Sequence, residues 1–207
     1  RRYYSNIVGK YGAQVQAALK KLGGLDIATI CPLHGPVWRS DLGYLLGKYD
    51  LWSRYEPEDK AVAICYASMY GNTENAANLL ANGLAEAGVK NIAVYDVSST
   101  HVSTLISEVF RCSHIVLACP TYNNSIYPAM YNFIHDMEAL LVQNRTVGII
   151  QNGTWNPASG KLIQAELESM KNITLLEPVV TVKSSLKEDS KAQLDALKDA
   201  IVESLKG

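Results

Sequence analysis

From Ala61 to the end of the chain, short apolar runs alternate with longer segments whose apolar residues recur every three or four positions. The runs Val62–Ala67, Asn91–Val97, His114–Cys119, Thr146–Gln151 and Thr174–Val182 predict strands. Their near-continuous hydrophobicity is what a strand covered on both faces requires. The segments Glu74–Ala87, Val102–Arg111, Ala129–Leu141, Ser159–Met170 and Ser190–Leu205 predict helices. Strict alternation over these five strand–helix units predicts a doubly wound, parallel α/β sheet. Ligands of such sheets bind beyond the carboxyl ends of the strands, near the point where strand order reverses. The loops after the first, third and fourth strands are therefore the candidate site.

Residues 1–57 follow a different pattern. Val8, Tyr11, Val15, Ala18, Leu19 and Leu22 fall on one helical face, and Lys20, Lys21 and Gly23-Gly24 supply a stop. Leu25–Cys31 predicts a short strand that ends at Pro32 and opens into Leu33-His34-Gly35-Pro36-Val37-Trp38-Arg39. A second helix is expected after Ser40 or Asp41, with Leu42, Leu45, Leu46, Tyr49 and Trp52 on one face. Glu56–Lys60, charged and carrying Pro57, predicts a linker. A helix, a strand and a helix bury too little apolar surface to fold alone. This arm is expected to pack on the following domain, on another chain or on a further domain. The division is thus an arm, 1–57, and an α/β domain, 58–207.

The 207 residues are 48% apolar and 19% charged, the balance of a globular domain with an appendage. A net charge of −1 gives no reason to expect nucleic acid as a partner. No apolar run reaches the roughly eighteen residues of a membrane span, so no membrane partner is expected. Cys31, Cys65, Cys112 and Cys119 show no C-x-x-C spacing and read as core thiols, which suits a reducing compartment, the cytoplasm. No internal repeat or low-complexity stretch is present.

Ser68-Met69-Tyr70-Gly71-Asn72-Thr73 joins the first strand to its helix. Unpaired N–H groups at a helix start attract an anion. Ser68 and Thr73 add hydroxyl donors, and Gly71 permits close backbone approach. No Lys or Arg lies in the stretch, so such a cradle works through N–H and O–H donors alone. The third loop, Pro120–Pro128, and the fourth, Asn152–Gly160, combine amides, hydroxyls, Gly and Pro with Tyr122, Tyr127 and Trp155. That mixture suits a flat heteroaromatic ring. A phosphate in the first loop and a ring between the other two describe a mononucleotide, and two separate loops suit a flavin better than adenine. A phosphoacceptor receiver domain is excluded because the first strand ends at Ala67-Ser68 and the third at Cys119-Pro120, not in acidic residues. A Walker loop is excluded because no G-K-[ST] follows Gly71.

Ser68-Met69-Tyr70-Gly71-Asn72-Thr73-Glu74 resembles the FMN phosphate loop of flavodoxin-like domains. With Tyr70 where ordinary flavodoxins usually carry Thr or Ser, it is similar to the form found in flavodiiron proteins. Pro120-Thr121-Tyr122-Asn123-Asn124 with Tyr127-Pro128 resembles their isoalloxazine loop, and Gly153 and Trp155 sit where the third FMN loop carries its aromatic. Arg2–Ile7 and Cys31–Arg39 resemble the end of the family's metallo-β-lactamase-like domain. The resemblance implies a flavodoxin-like five-stranded sheet of order 2-1-3-4-5. It implies FMN contacts from Ser68, Met69, Tyr70, Gly71, Asn72 and Thr73, from Pro120, Thr121, Tyr122 and Asn123, and from Asn152, Gly153, Thr154, Trp155 and Gly160. It implies His34 as the last ligand of a diiron centre in the intact protein, whose remaining ligands would lie before Arg1. The implied function is electron delivery by FMN to dioxygen or nitric oxide reduction. The implied partners are an upstream donor, rubredoxin-like or an NAD(P)H-linked reductase, and a second copy in a head-to-tail homodimer.

Plainer readings stand beside these. Ser68–Glu74 is otherwise an ordinary strand-to-helix turn, Trp155 and Tyr122 are loop packing, and His34 is a surface histidine. Tyr127 reads as fixing its loop, and His101, His114 and His135 do not read as ligands. Two alternatives remain open at this point: a stand-alone flavodoxin-type carrier or quinone-reducing flavoprotein, and a flavin-free interaction module of the same fold. Flavin absorbance and iron content separate them.

Overall fold

The computed structural model describes residues 1–207. Its frame is a parallel sheet of β1 (Asp59–Tyr66), β2 (Ile92–Asp96), β3 (Cys112–Tyr122), β5 (Arg145–Asn152), β6 (Ile173–Leu175) and β7 (Val180–Val182), with β4 (Ser125–Ile126) folded back on the end of β3. Strand order runs β2-β1-β3-β5-β6, and β7 also pairs with β5. The predicted fifth strand is thus two short ones, parted at Leu176–Val179, where Pro178 has no N–H to give to a ladder. The order expected from the resemblance holds, β6 and β7 together taking the fifth place.

Side-chain alternation along the strands feeds two cores. Ala63 and Cys65 of β1, with Ile115, Leu117 and Cys119 of β3, face α4 (Val102–Arg111), α5 (Pro128–Ala139) and α6 (Ser159–Leu167). Val62 and Ile64, with Val116 and Ala118, face α3 (Asn72–Glu86) and α7 (Glu188–Lys206). Helix α4 sinks Leu105, Ile106, Val109 and Phe110 completely, each worth about 1.5–3 kcal/mol relative to exposure.

The arm departs most from expectation. Its first helical stretch opens with a π turn at Tyr4–Val8 and a 3-10 turn at Gly9–Tyr11 before α1 (Gly12–Leu22). Leu25–Cys31 is no strand. A single antiparallel bridge, Ile30 to Trp38, is all the pairing it makes, because no sheet edge lies beside it. Cys31 is accordingly exposed rather than core, while Cys65, Cys112 and Cys119 are buried. Helix α2 (Leu42–Ser53) forms where expected.

The arm packs on the α/β domain itself. Tyr4, 1% exposed, meets Tyr49, Trp52 and Phe110 with ring centroids 5.2–6.4 Å apart. The stretch expected as a linker is a docked junction. Glu58 accepts from Trp52 Nε1 at 2.6 Å, Lys48 Nζ at 2.8 Å and Arg1 at 3.2 Å. Burial, the largest influence on that carboxyl, works to raise its pKa, but these bonds outweigh it and hold it below the ordinary range. Arg145, at the amino end of β5, is 2% exposed. Its guanidinium donates to the carbonyls of Tyr55, Val109, Phe110, Gln143 and Asn144 at 2.7–3.1 Å. Burial lowers its pKa to about 10, so it remains a cation at neutral pH. No helix is long and apolar enough to cross a membrane.

Candidate functional site

The carboxyl ends of β1, β3 and β5 open into a cleft of about 570 Å3. It is lined by fifteen residues, none of which carries a formal charge. Twelve of the residues named from sequence meet there: Ser68, Met69, Tyr70, Asn72, Thr73, Pro120, Thr121, Asn123, Asn152, Gly153, Thr154 and Trp155. Asn124, Asn156 and Ser184 complete the lining and were not among them.

The first wall is the turn into α3. Gly71 occupies the N-cap with φ 81°, a left-handed pose that glycine adopts without strain. Its N–H donates to Ser68 Oγ at 3.1 Å, which closes the turn. No side chain caps α3, and the N–H groups of its first turn have no carbonyl one turn earlier. Thr73 is 2% exposed, its hydroxyl accepting from Asn152 Nδ2 at 3.2 Å. Glu74, the one acidic residue of that turn, is drawn aside by Tyr66, whose hydroxyl donates to Glu74 Oε1 at 3.0 Å. Burial first, and then the Glu74 bond, push the Tyr66 pKa up to about 12, so it stays a neutral donor.

The second wall is a hairpin. Tyr122-Asn123-Asn124-Ser125 reverses β3 into β4, with φ of 50° and 55° at the two asparagines. Asn tolerates this pair of left-handed residues better than most, and the primed turn it makes matches strand twist. Pro120, Thr121 and Tyr122 therefore belong to an extended β3, not to an irregular loop. Tyr122 lies outside the lining, edge-on to Tyr127 at 5.7 Å. That contact fits the loop-fixing part read for Tyr127.

The third wall follows β5. Thr121 Oγ1 accepts from the N–H groups of Ala158 and Ser159 at 2.9 and 3.1 Å, tying this loop to the hairpin. Gly153 is needed for space: a Cβ there would stand 2.9 Å from Pro157 Cα. Gly160 lies under the loop at the start of α6, its N–H donating to Gln151 Oε1 at 3.1 Å, away from the lining. Gly71 likewise shapes a wall without lining the cleft. Ser184, after β7, belongs to a fourth loop at the same end of the sheet. Its hydroxyl lies 2.8 Å from Thr154 Oγ1. Lys183–Lys187 also follows the carboxyl end of a strand, but it offers no glycine or aromatic to mark it.

Two large aromatics rim the cleft with almost nothing against them, Tyr70 at 90% and Trp155 at 96% exposed. An uncapped helix start with hydroxyl neighbours fits a phosphate, and bare aromatic faces beside amide edges fit a flat ring. His34 is elsewhere: exposed in the arm and stacked on Tyr3 at 4.4 Å. No three side chains of the metal-binding kinds come together anywhere in the chain, so these residues do not by themselves fit a diiron centre.

A doubly wound sheet with a neutral phosphate-and-ring cleft at its switch point defines a mononucleotide-binding α/β domain. Residues 64–196 match the flavodoxin family, and the chain belongs to it, in the form carried by flavodiiron proteins, with FMN as its cofactor. A nitric oxide reductase from Moorella thermoacetica is 27% identical over 184 residues, 88% of this chain and 46% of that protein. The rubredoxin oxygen:oxidoreductase of Desulfovibrio gigas superposes with a TM-score of 0.90 at 28% identity, over 100% of this chain and 52% of that one. The flavodiiron protein of Giardia intestinalis shares the fold, with a TM-score of 0.83 at 24% identity over 99% and 50% of the two chains. The chain spans less than half the length of the curated relatives it matches.

Proposed function

We propose that the cleft holds FMN, and that this chain is the electron-transfer part of an oxidoreductase of the flavodiiron kind, reducing dioxygen or nitric oxide. The observation that carries the reading is the cleft's division of labour: uncapped α3 with Ser68 and Thr73 at one side, bare Tyr70 and Trp155 at the rim. FMN supplies one- and two-electron chemistry when bound. The protein's own residues bind and orient. The amide groups of Met69, Tyr70, Asn72 and Thr73 and the hydroxyls of Ser68 and Thr73 hold the phosphate. Pro120, Thr121 and Asn123 on one wall, and Gly153 and Thr154 on the other, set the edge of the ring, while Asn152 stands behind Thr73 of the phosphate turn and Trp155 covers a face. No side chain in the cleft acts as nucleophile or general base.

The parts of the reading that concern the whole protein rest on the relatives. In that reading the iron is held by other residues, with His34 as one ligand. The domain lies in the cytoplasm, takes electrons from a rubredoxin-like or NAD(P)H-linked donor, and works in a head-to-tail homodimer. The test is direct. The purified chain, titrated with FMN, is expected to bind one equivalent and quench its fluorescence. A colourless protein that fails to take up added FMN sinks the reading and leaves the interaction module. Iron in the full-length protein, at two per chain, separates the diiron assignment from a stand-alone carrier.

A further inference from the structure

Asn152 ends β5 and is 6% exposed. One residue reads both ends of its amide. The Ser184 N–H donates to Asn152 Oδ1 at 3.1 Å, and the Ser184 carbonyl accepts from Asn152 Nδ2 at 3.0 Å. These two bonds permit one orientation only; turned over, the amide would set donor against donor and acceptor against acceptor. Ser184 holds the matching pose with a left-handed backbone, φ 67°, and its hydroxyl is linked to Thr154.

With the amide so fixed, Asn152 Nδ2 also donates to Thr73 Oγ1 at 3.2 Å. A hydroxyl oxygen that accepts on one side must aim its own hydrogen elsewhere. Thr73 is nearly wholly buried, lines the cleft, and gives that hydrogen to no acceptor in the protein.

We propose that Asn152 is a positioning residue that makes the cleft selective for a phosphorylated ligand: the Ser184 backbone orients its amide, and the amide turns the Thr73 hydroxyl hydrogen toward the phosphate. The inference rests on the FMN assignment above. It adds that the loop after β7, which holds no strand-end motif, sets the proton pattern of the phosphate cradle. An aspartate at 152 has no donor to offer. It would take the Thr73 hydrogen for itself, and its charge would face the phosphate.

The test compares FMN with riboflavin, which lacks only the phosphate, by fluorescence titration of the flavin-free chain. Wild type is expected to prefer FMN. In Asn152→Asp the FMN affinity falls roughly 10- to 100-fold, the loss of a hydrogen bond to a charged group, while riboflavin affinity stays near wild type. Thr73→Val gives the same selective loss, and Thr73→Ser, which keeps the hydroxyl, preserves the preference. Should Asn152→Asp fail to fold, Asn152→Ala, which removes the amide without adding a charge, is read in its place, and an unchanged preference for FMN in it overturns the positioning role. Equal losses for both flavins in Asn152→Asp or in Thr73→Val overturn the positioning role. A wild type that binds both flavins alike, or neither, instead overturns the phosphate assignment itself.

Discussion

The two ends of the sheet are built from opposite materials. At the amino end, ions hold the molecule together: Arg1, Lys48 and Arg111 pair with Glu58, Glu108 and Asp59, and Arg145 sits beneath them among carbonyls. At the carboxyl end, the cleft has no formal charge among its fifteen lining residues, and amides and hydroxyls do the fastening. The difference follows from what each end is for. Charges fix the arm where their partners are permanent and partly dry. A neutral cradle leaves the uncapped first-turn N–H groups of α3 and the Thr73 hydroxyl hydrogen free for a ligand. Structure at one end and reception at the other can then be altered separately, and four changes test whether they are.

The largest effect is expected from Arg145→Met. Methionine can fill the space but satisfies none of the carbonyls of Tyr55, Val109, Phe110, Gln143 and Asn144. A loss of about 3–5 kcal/mol in urea unfolding is expected, with the FMN preference over riboflavin retained in the folded fraction. A change in that preference would break the separation of the two ends. Next is Gly153→Ala. The added Cβ meets Pro157 and pushes the third wall, so FMN affinity is expected to fall roughly 30- to 100-fold, about 2–3 kcal/mol. Wild-type affinity would show that this wall does not touch the ligand.

Third is acid. His114, at the amino end of β3, is buried between Ser113 and Ser204, and its pKa is lowered to about 4, chiefly by burial and then by Lys60. The unfolded chain binds this proton first as pH falls, so stability is expected to decline from about pH 6.5 toward pH 4, by on the order of 3 kcal/mol. His114→Gln is expected to flatten that stretch of the stability-versus-pH curve; an unchanged slope would assign the decline to other groups. The smallest is Trp155→Ala. A side chain 96% exposed contributes little to folding, within about 0.5 kcal/mol. Removal of one stacking face is expected to weaken FMN about 2- to 10-fold and to shift its visible spectrum. An unshifted spectrum would return Trp155 to loop surface.

The parts of the molecule that could be read in advance are those with a period. Strands such as His114–Cys119 and helices such as Val102–Arg111 announce themselves because burial on a sheet repeats along the chain. The cleft could be read from its loops because the topology rule points to strand ends and the first loop carries a dense donor set. The failures occurred where no period exists. Leu25–Cys31 has a strand's composition but no neighbouring edge, and composition does not supply one. Glu56–Lys60 has a linker's charge and proline, whereas donors of Trp52, Lys48 and Arg1, six, ten and fifty-seven positions away, converge on Glu58. Ser184 escaped because its part depends on a backbone pose and on Asn152, thirty-two positions away.

The chargeless cleft has a consequence for ionic strength. Dissolved ions screen charge–charge attraction over about 10 Å at 0.1 M salt, and they act far less on short contacts between dipoles in a walled site. Affinity for a phosphorylated ligand should therefore vary little between dilute and concentrated salt, unlike that of a lysine-lined phosphate site. The junction at the other end, whose ion pairs keep partial access to water, should loosen measurably over the same range. Salt would then slacken the arm while leaving the ligand in place.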